Sequence, residues 1–210
     1  MTTNLFIQTE TTPFTVSLPA TSMTRDEFYA FCAANQDLRI ERTATGDIVI
    51  MPPAFSDTGN RNFHLAVQLG IWTEQDGTGV GFDSSTGFTL PNGAVRSPDA
   101  AWIQRERWNR LTTEEKASFA PICPDFVIEL RSASDRISSL QAKMQEYLDN
   151  GVSLAWLIDR PTRTVMIYRP QQEPQILENP DQVRGDPELP GFTLSLVAMR
   201  TGRESPSPIV

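Results

Sequence analysis

The sequence predicts a mixed α/β fold, an α+β arrangement around a mixed sheet, and three observations predict it. First, PDFVIELRS (124–132) holds the nearly continuous apolar run Phe126-Val127-Ile128 with Leu130, the pattern of a central strand buried on both faces. Second, VSLAWLID (152–159) reads the same way, and between the two lies an amphipathic stretch, 137–150. Strand, helix, strand over 125–159 is a βαβ unit, so this pair of strands runs parallel. Third, alternating segments around 38–51 and 152–170 meet at turn residues, which marks antiparallel hairpins beside the parallel pair.

The remaining elements follow in order. Residues 1–22, rich in Thr and Pro, read as an extended arm. Thr24 caps a helix over 24–36, with Glu27 completing a capping box and Phe28, Phe31 and Cys32 on its apolar face. Strands 38–43 and 47–51 form a hairpin about Thr45-Gly46-Asp47. Ser56 or Asp57 caps a second helix, whose apolar positions Phe63, Val67, Leu69, Ile71 and Trp72 run to the break at Gly77. Strands are expected near 80–84, 86–90 and 98–103, then a loop and the small helix TTEEKASF. The helix over 137–150 places Ile137, Leu140, Met144, Tyr147 and Leu148 on one side and closes at Asn150-Gly151. Residues 163–170 complete a hairpin with 152–159; acidic, Pro-rich loops follow, then a last strand near 192–197. One domain, 23–200, is expected between the arm and a frayed tail at 201–210, and 210 residues suffice to bury a core without disulfides or metal staples.

Composition excludes much chemistry. The net charge is −8, so there is no global attraction for phosphate. There is one histidine, His64, and two cysteines, Cys32 and Cys123, which excludes Cys/His zinc sites and HExxH proteases. His64 reads as a helix histidine and the cysteines as reduced thiols of a cytoplasmic protein. No apolar run approaches a membrane span and no signal peptide is evident. Carboxylates are plentiful, so oxygen-ligand metal chemistry stays open.

Glu129 lies inside an apolar strand, where a charge is costly unless it is paired or binds a cation. Val127, Glu129 and Arg131 share one face of that strand. Either Glu129 and Arg131 form an internal pair, or Glu129 ligates a metal beside a phosphate-steadying arginine. Asp99, in the Pro98-Asp99 step before AAWI, and Glu41, in the strand after the first helix, are the candidate second acids. Lys143 and Tyr147, four apart, share a face of the helix that follows the Glu129 strand. Lys143 is read either as a surface lysine or as one pointing toward Glu129. Asp159 before Arg160-Pro161 reads as a turn former, and Gly59-Asn60-Arg61-Asn62 lacks the glycines and Lys-Ser/Thr of a phosphate loop. Four arginines over 96–110, interleaved with Trp102 and Trp108, form a local basic cluster, although Trp102 reads as core.

The stretch PDFVIELRSASD…LQAKMQEYLDNGVSLAWLID, with RIERTATGDIVIMPP and SPDAAWI upstream, resembles the Uma-two family of restriction-endonuclease-like proteins over residues 22–197. The resemblance implies the PD-(D/E)XK nuclease superfamily: a restriction-endonuclease-like core with flanking helices and extra β-hairpins, and Mg²⁺, with Mn²⁺ as a substitute, held by acids of the central sheet. It places the PD aspartate on Asp99 and the (D/E) acid on Glu129, and aligns Glu41 with the superfamily's first-helix glutamate as a third metal ligand. The sequence departs from the pattern at position 131, which is Arg where Glu-x-Lys puts lysine. Some branches move that lysine to the next helix, and of the two lysines, Lys116 and Lys143, only Lys143 follows Glu129. The implied catalytic set is Asp99, Glu129 and Lys143, with Tyr147 as hydrogen-bond partner and Arg131 on a phosphoryl oxygen. The implied activity is metal-dependent hydrolysis of DNA; the acidic charge balance points to weak or partner-assisted binding, and hairpin 152–170 or the acidic C-terminal loops are read as support for a homodimer. The rivals are a non-catalytic scaffold of the same fold and a hydrolase of small phosphorylated molecules.

Overall fold

The computed structural model describes residues 14–16, 23–132 and 135–197, the first three by backbone alone. Most of the expected arm and all of the expected tail therefore lie outside the described residues. The elements are β1 (Phe14–Val16), α1 (Arg25–Ala34), β2 (Arg39–Arg42), β3 (Ile48–Met51), α2 (Ser56–Asp76), β4 (Gly79–Asp83), β5 (Phe88–Thr89), β6 (Val95–Arg96) and β7 (Ala100–Gln104). Then come α3 (Arg105–Asn109), α4 (Thr113–Lys116), β8 (Phe126–Arg131), α5 (Ile137–Asp149), β9 (Leu154–Asp159), β10 (Thr164–Tyr168), β11 (Gln175–Glu178), β12 (Gln182–Arg184) and β13 (Thr193–Ser195).

The architecture is the expected mixed α+β one. A six-stranded sheet runs β11-β10-β9-β8-β7-β4, a five-stranded sheet runs β1-β3-β2-β6-β5, and β12 pairs with β13. β8 and β9 are the parallel pair, in register from Phe126↔Leu154 to Arg131↔Asp159, with α5 as their crossover. β7 joins β8 antiparallel with Ala100 opposite Ile128. One step further along that ladder brings Asp99 level with Glu129.

The large sheet is buried on both faces, which explains the unbroken apolar runs. Phe126, Ile128, Leu130, Trp156 and Ile158 pack under α2 and the β12–β13 pair through Leu65, Leu69, Phe192 and Leu194. The stacked rings of Trp156 and Phe192, 5.6 Å apart, sit at the centre of that layer. Val127, Ala155 and Leu157 face the other way, against Met144 and Tyr147 of α5. A third cluster joins Phe28 of α1 to Ile40, Ile48 and Val95 of the small sheet. Gly79 is required where it stands, because a Cβ there would lie 2.0 Å from the Trp102 indole.

Several local expectations hold. Thr24 and Glu27 form the capping box, and Gly151 (φ 102°) follows α5 in the left-handed conformation that glycine tolerates. Others are corrected. Neither Ser56 nor Asp57 caps α2; Phe55 is its N-cap residue without a side-chain bond, and Asp57 instead engages Arg61 and Arg160. The buried face of α2 is Arg61, Leu65, Leu69 and Thr73, while Phe63, Val67 and Ile71 are exposed. Arg61 enters the buried face because its charge is met by Asp57 one turn earlier. The supposed loops after 170 contain β11 and β12. Each is only three or four residues long, and the adjacent Ile176-Leu177 breaks the alternation in β11.

Candidate active site

The carboxylate of Glu41 in β2 is almost wholly buried, and its geometry is set by three donors. Lys143 Nζ lies 2.9 Å from Oε1, the Ser97 backbone N–H donates to Oε1 at 2.9 Å, and Arg96 donates to Oε2 at 3.1 Å. Arg96 in β6 also reaches Glu146 of α5 at 2.6 Å. Burial alone would raise the Glu41 pKa, but the charges of Lys143 and Arg96 and their hydrogen bonds hold it below the usual carboxylate range.

Glu129, in the middle of β8, is equally buried. Lys143 Nζ stands 2.7 Å from its Oε1, and the Tyr147 hydroxyl donates to the same oxygen at 3.0 Å. Lys143 reaches both acids because α5 crosses back over the face of the sheet that carries Val127 and Glu129. Burial pushes the Glu129 carboxyl up to about 7; Lys143 opposes this, and the charges of Asp99 and Glu41 add to it. Burial would lower the Lys143 pKa, but Glu129 and Glu41 outweigh it and hold the ammonium above its ordinary value. Burial and the charge of Glu129 keep the Tyr147 hydroxyl protonated well above its usual range.

Asp99 sits at the entry to β7. Its Oδ2 accepts the Leu130 N–H at 2.8 Å, tying it to the β8 backbone one residue past Glu129. Its Oδ1 accepts from Asn62 of α2 at 3.0 Å and lies 3.7 Å from Arg39 NH1. Glu41, Asp99, Glu129, Lys143 and Tyr147 thus come together on three elements and one strand entry. Arg131 does not join them. Its NH1 holds Asp159 at 3.1 and 2.9 Å, and its Nε donates to the Asp135 carbonyl at 3.2 Å. The internal Glu129–Arg131 pair is therefore absent, and Asp159, expected to shape a turn, is a buried ion-pair partner.

Sequence reasoning missed Arg96, Glu146, Arg39 and Asn62. The charge of Arg96 was visible, but only as part of the basic cluster over 96–110. That cluster dissolves into internal contacts: Arg96 with Glu41 and Glu146, Arg105 with the Gly77 and Gly79 carbonyls, Arg107 with Asp125, and Arg110 with Glu106. Trp102 is core, as expected, and Trp108 packs on Phe82 beneath the Lys116 ammonium. His64 packs its ring against Phe63. Burial pushes the Cys32 thiol up to about 11 and the Cys123 thiol to about 12, so neither is a ready nucleophile at neutral pH. Among the described residues no three Asp, Glu, His or Cys side chains cluster as a ready-made metal cage, and no helix is long and apolar enough to cross a membrane.

A mixed sheet that brings two acids to adjacent strands, with a lysine supplied by the crossover helix, is an arrangement of the restriction-endonuclease-like class. Comparison with known proteins agrees with it. A family model, Uma2, described as "Putative restriction endonuclease", matches residues 25–197, and the chain belongs to that family. Among solved structures, the crystal structure of a putative nuclease belonging to DUF820 from Anabaena variabilis ATCC 29413 is similar in fold. Its TM-score is 0.64 at 23% identity, over 77% of this chain and 89% of that one. No curated protein matches.

Proposed function

We propose that this protein is a divalent-metal-dependent nuclease that hydrolyses phosphodiester bonds of DNA at the Asp99–Glu129–Lys143 centre. The observation that carries the reading is Lys143 Nζ, buried and shared between Glu41 Oε1 and Glu129 Oε1. A lone structural ion pair needs one acid; this ammonium has two, with a third, Asp99, close enough for its charge to act on Glu129.

The residues fit a hard divalent ion. Asp99 and Glu129 offer oxygen donors only, and Glu129 remains short of compensating charge even with Lys143 beside it. Two acids rather than a full cage match Mg²⁺, which keeps waters and takes substrate oxygens as its other ligands. Such an ion, when bound, supplies a polarised phosphoryl oxygen and a water of lowered pKa. Glu41, the third acid expected at the metal, has two cations in hydrogen-bond contact, Lys143 and Arg96, whereas Asp99 has only Arg39 at 3.7 Å, and we assign Glu41 to holding Lys143 in place.

The chain's own part follows from donor counting. Lys143 has three N–H donors, and the two carboxylates engage two of them. The third is available to orient the attacking water or to stabilise charge developing on a non-bridging oxygen. Tyr147 fixes Glu129 by donating to Oε1, so that carboxylate cannot rotate freely. Water adds to phosphorus, one ester P–O bond breaks, and the departing oxygen takes a proton. Arg131 is bound to Asp159 and has no step in this scheme.

We place the protein in the cytoplasm, a reading its two free thiols support. We place a homodimer contact at the outer edge of β11, which pairs with no further strand among the described residues and covers the edge of the β9–β10 hairpin. The test of the activity is cleavage of plasmid and single-stranded DNA with Mg²⁺ or Mn²⁺ against the Glu129→Ala variant. Wild type is expected to cleave and the variant to be silent; equal rates would remove the nuclease reading.

A further inference from the structure

A groove of about 560 Å³ opens beside Asp99 and has no part in the chemistry above. Its walls come from four places: Asp37 and Arg39 before and in β2, Pro52 and Pro53 after β3, Asn62 and Phe63 in α2, and Asp83 at the end of β4. Two of these residues also touch the site. Asn62 donates to Asp99 Oδ1, and Arg39 lies 3.7 Å from the same oxygen. The groove and the candidate catalytic acid are therefore joined through Arg39 and Asn62. Asn62 turns to Asp99, while Phe63, the next residue along α2, lines the groove with 64% of its surface open to solvent.

The chemistry of the walls selects an occupant. Asp37 and Asp83 put two carboxylates on the groove against the single guanidinium of Arg39, so a run of phosphates would meet net repulsion inside it. A nucleobase meets no such penalty. Its π-face stacks on an exposed aromatic ring, its flat apolar body suits proline walls, and its exocyclic amines find carboxylate acceptors. Among the described residues Arg39 is the one cation at the junction, and its Nε–H has no hydrogen-bond partner there. The volume lies within the range of small-ligand sites and suits a single nucleoside.

We propose that this groove receives one unpaired base of the substrate, stacked on Phe63, next to the phosphodiester that faces Asp99. The protein then selects single-stranded or locally unpaired nucleic acid over intact duplex. The proposal rests on the nuclease reading for the direction of the phosphate, but the base site itself is read by binding. Acidic walls and an exposed ring explain how a chain of net charge −8 engages a polyanion: through a base and a metal centre rather than a basic track.

The experiment is fluorescence anisotropy in Ca²⁺ with a labelled oligonucleotide, single-stranded or annealed, against wild type, Phe63→Ala and Phe63→Tyr. The single strand is expected to bind at least about tenfold more tightly than the duplex, and Phe63→Ala to lose about tenfold on the single strand alone, the scale of one base–aromatic stack. Phe63→Tyr should restore it. Phe63 is exposed, so unchanged melting of the alanine variant is the folding control. Equal affinity for both strands, no oligonucleotide binding, or single-strand binding indifferent to Phe63→Ala each overturns the proposal. So does a change of oligomeric state in Phe63→Ala, which would assign the ring to a copy of this chain. A Glu129→Ala variant that cleaves as well as wild type removes the nuclease reading while leaving the binding result to stand or fall alone.

Discussion

Two ionic centres lie on β8, one at Glu129 and one at Arg131, and they differ in one respect. At Arg131 a single guanidinium meets a single carboxylate, Asp159, across the parallel β8–β9 ladder. At Glu129 one ammonium is divided between Glu41 and Glu129, and burial, with the nearby charges of Asp99 and Glu41 adding to it, pushes the Glu129 carboxyl up to about 7. The first centre is closed: one positive charge meets one negative charge. The second carries more negative charge than its cations neutralise. An unbalanced buried carboxylate costs stability, and such groups concentrate at sites that bind or react. Sequence alone could not separate these cases, because Glu129 and Arg131 alternate on the same strand face and looked like each other's partners.

The largest expected difference comes from removing each centre's cation or acid. Lys143→Met is expected to lower metal-dependent DNA cleavage by at least about a hundredfold. It is also expected to cost about 3–5 kcal/mol of stability in urea titration, since two buried carboxylates lose their shared partner. Retained cleavage in that variant would erase the distinction between the two centres. Asp159→Asn should be milder, about 1–3 kcal/mol, because Arg131 keeps a neutral acceptor and is partly exposed. Cleavage by the folded Asp159→Asn protein is expected to match wild type in single-turnover assays.

The smallest effect is a pH signature of metal-free protein. Glu129 holds its proton to about pH 7 when folded, against an ordinary value of 4.5, so the folded state binds more protons than the unfolded one between those values. Its contribution is fully present below pH 4.5 and is lost as pH rises through 7. Glu41 runs the other way: its lowered pKa gives stability above pH 4.5 that is lost as pH falls through the folded value. Urea midpoints of Glu129→Gln, compared with wild type between pH 5 and pH 8, should gain relative stability as pH rises. A flat difference would mean that Glu129 is as well balanced as Asp159.

What could be read from the sequence was local. The Thr24 capping box and the Gly151 turn depend on neighbours within a few residues, and the βαβ unit on an unbroken strand–helix–strand run. The face of α2 was misread because burial is decided by what covers the helix. Arg61 and Thr73 are buried while Phe63 and Ile71 are not, and no count of apolar residues along the helix reveals that. The site shows the same division. Asp99, Glu129 and Lys143 carry motif signals, whereas Arg96 reaches Glu41 across 55 positions and Asn62 reaches Asp99 across 37. Their pairing exists only once the small sheet and α2 have been laid against the ends of β7 and β8.

The helix that carries Lys143 is also the connector that makes β8 and β9 run the same way. Each residue advances an α-helix by about 100° of rotation. An indel between Ile137 and Lys143 would therefore swing the amine around the cylinder and away from both acids, even if the strands still formed. Length is fixed in that stretch by chemistry as much as by topology, whereas the exposed ribbon of β11 carries no such constraint.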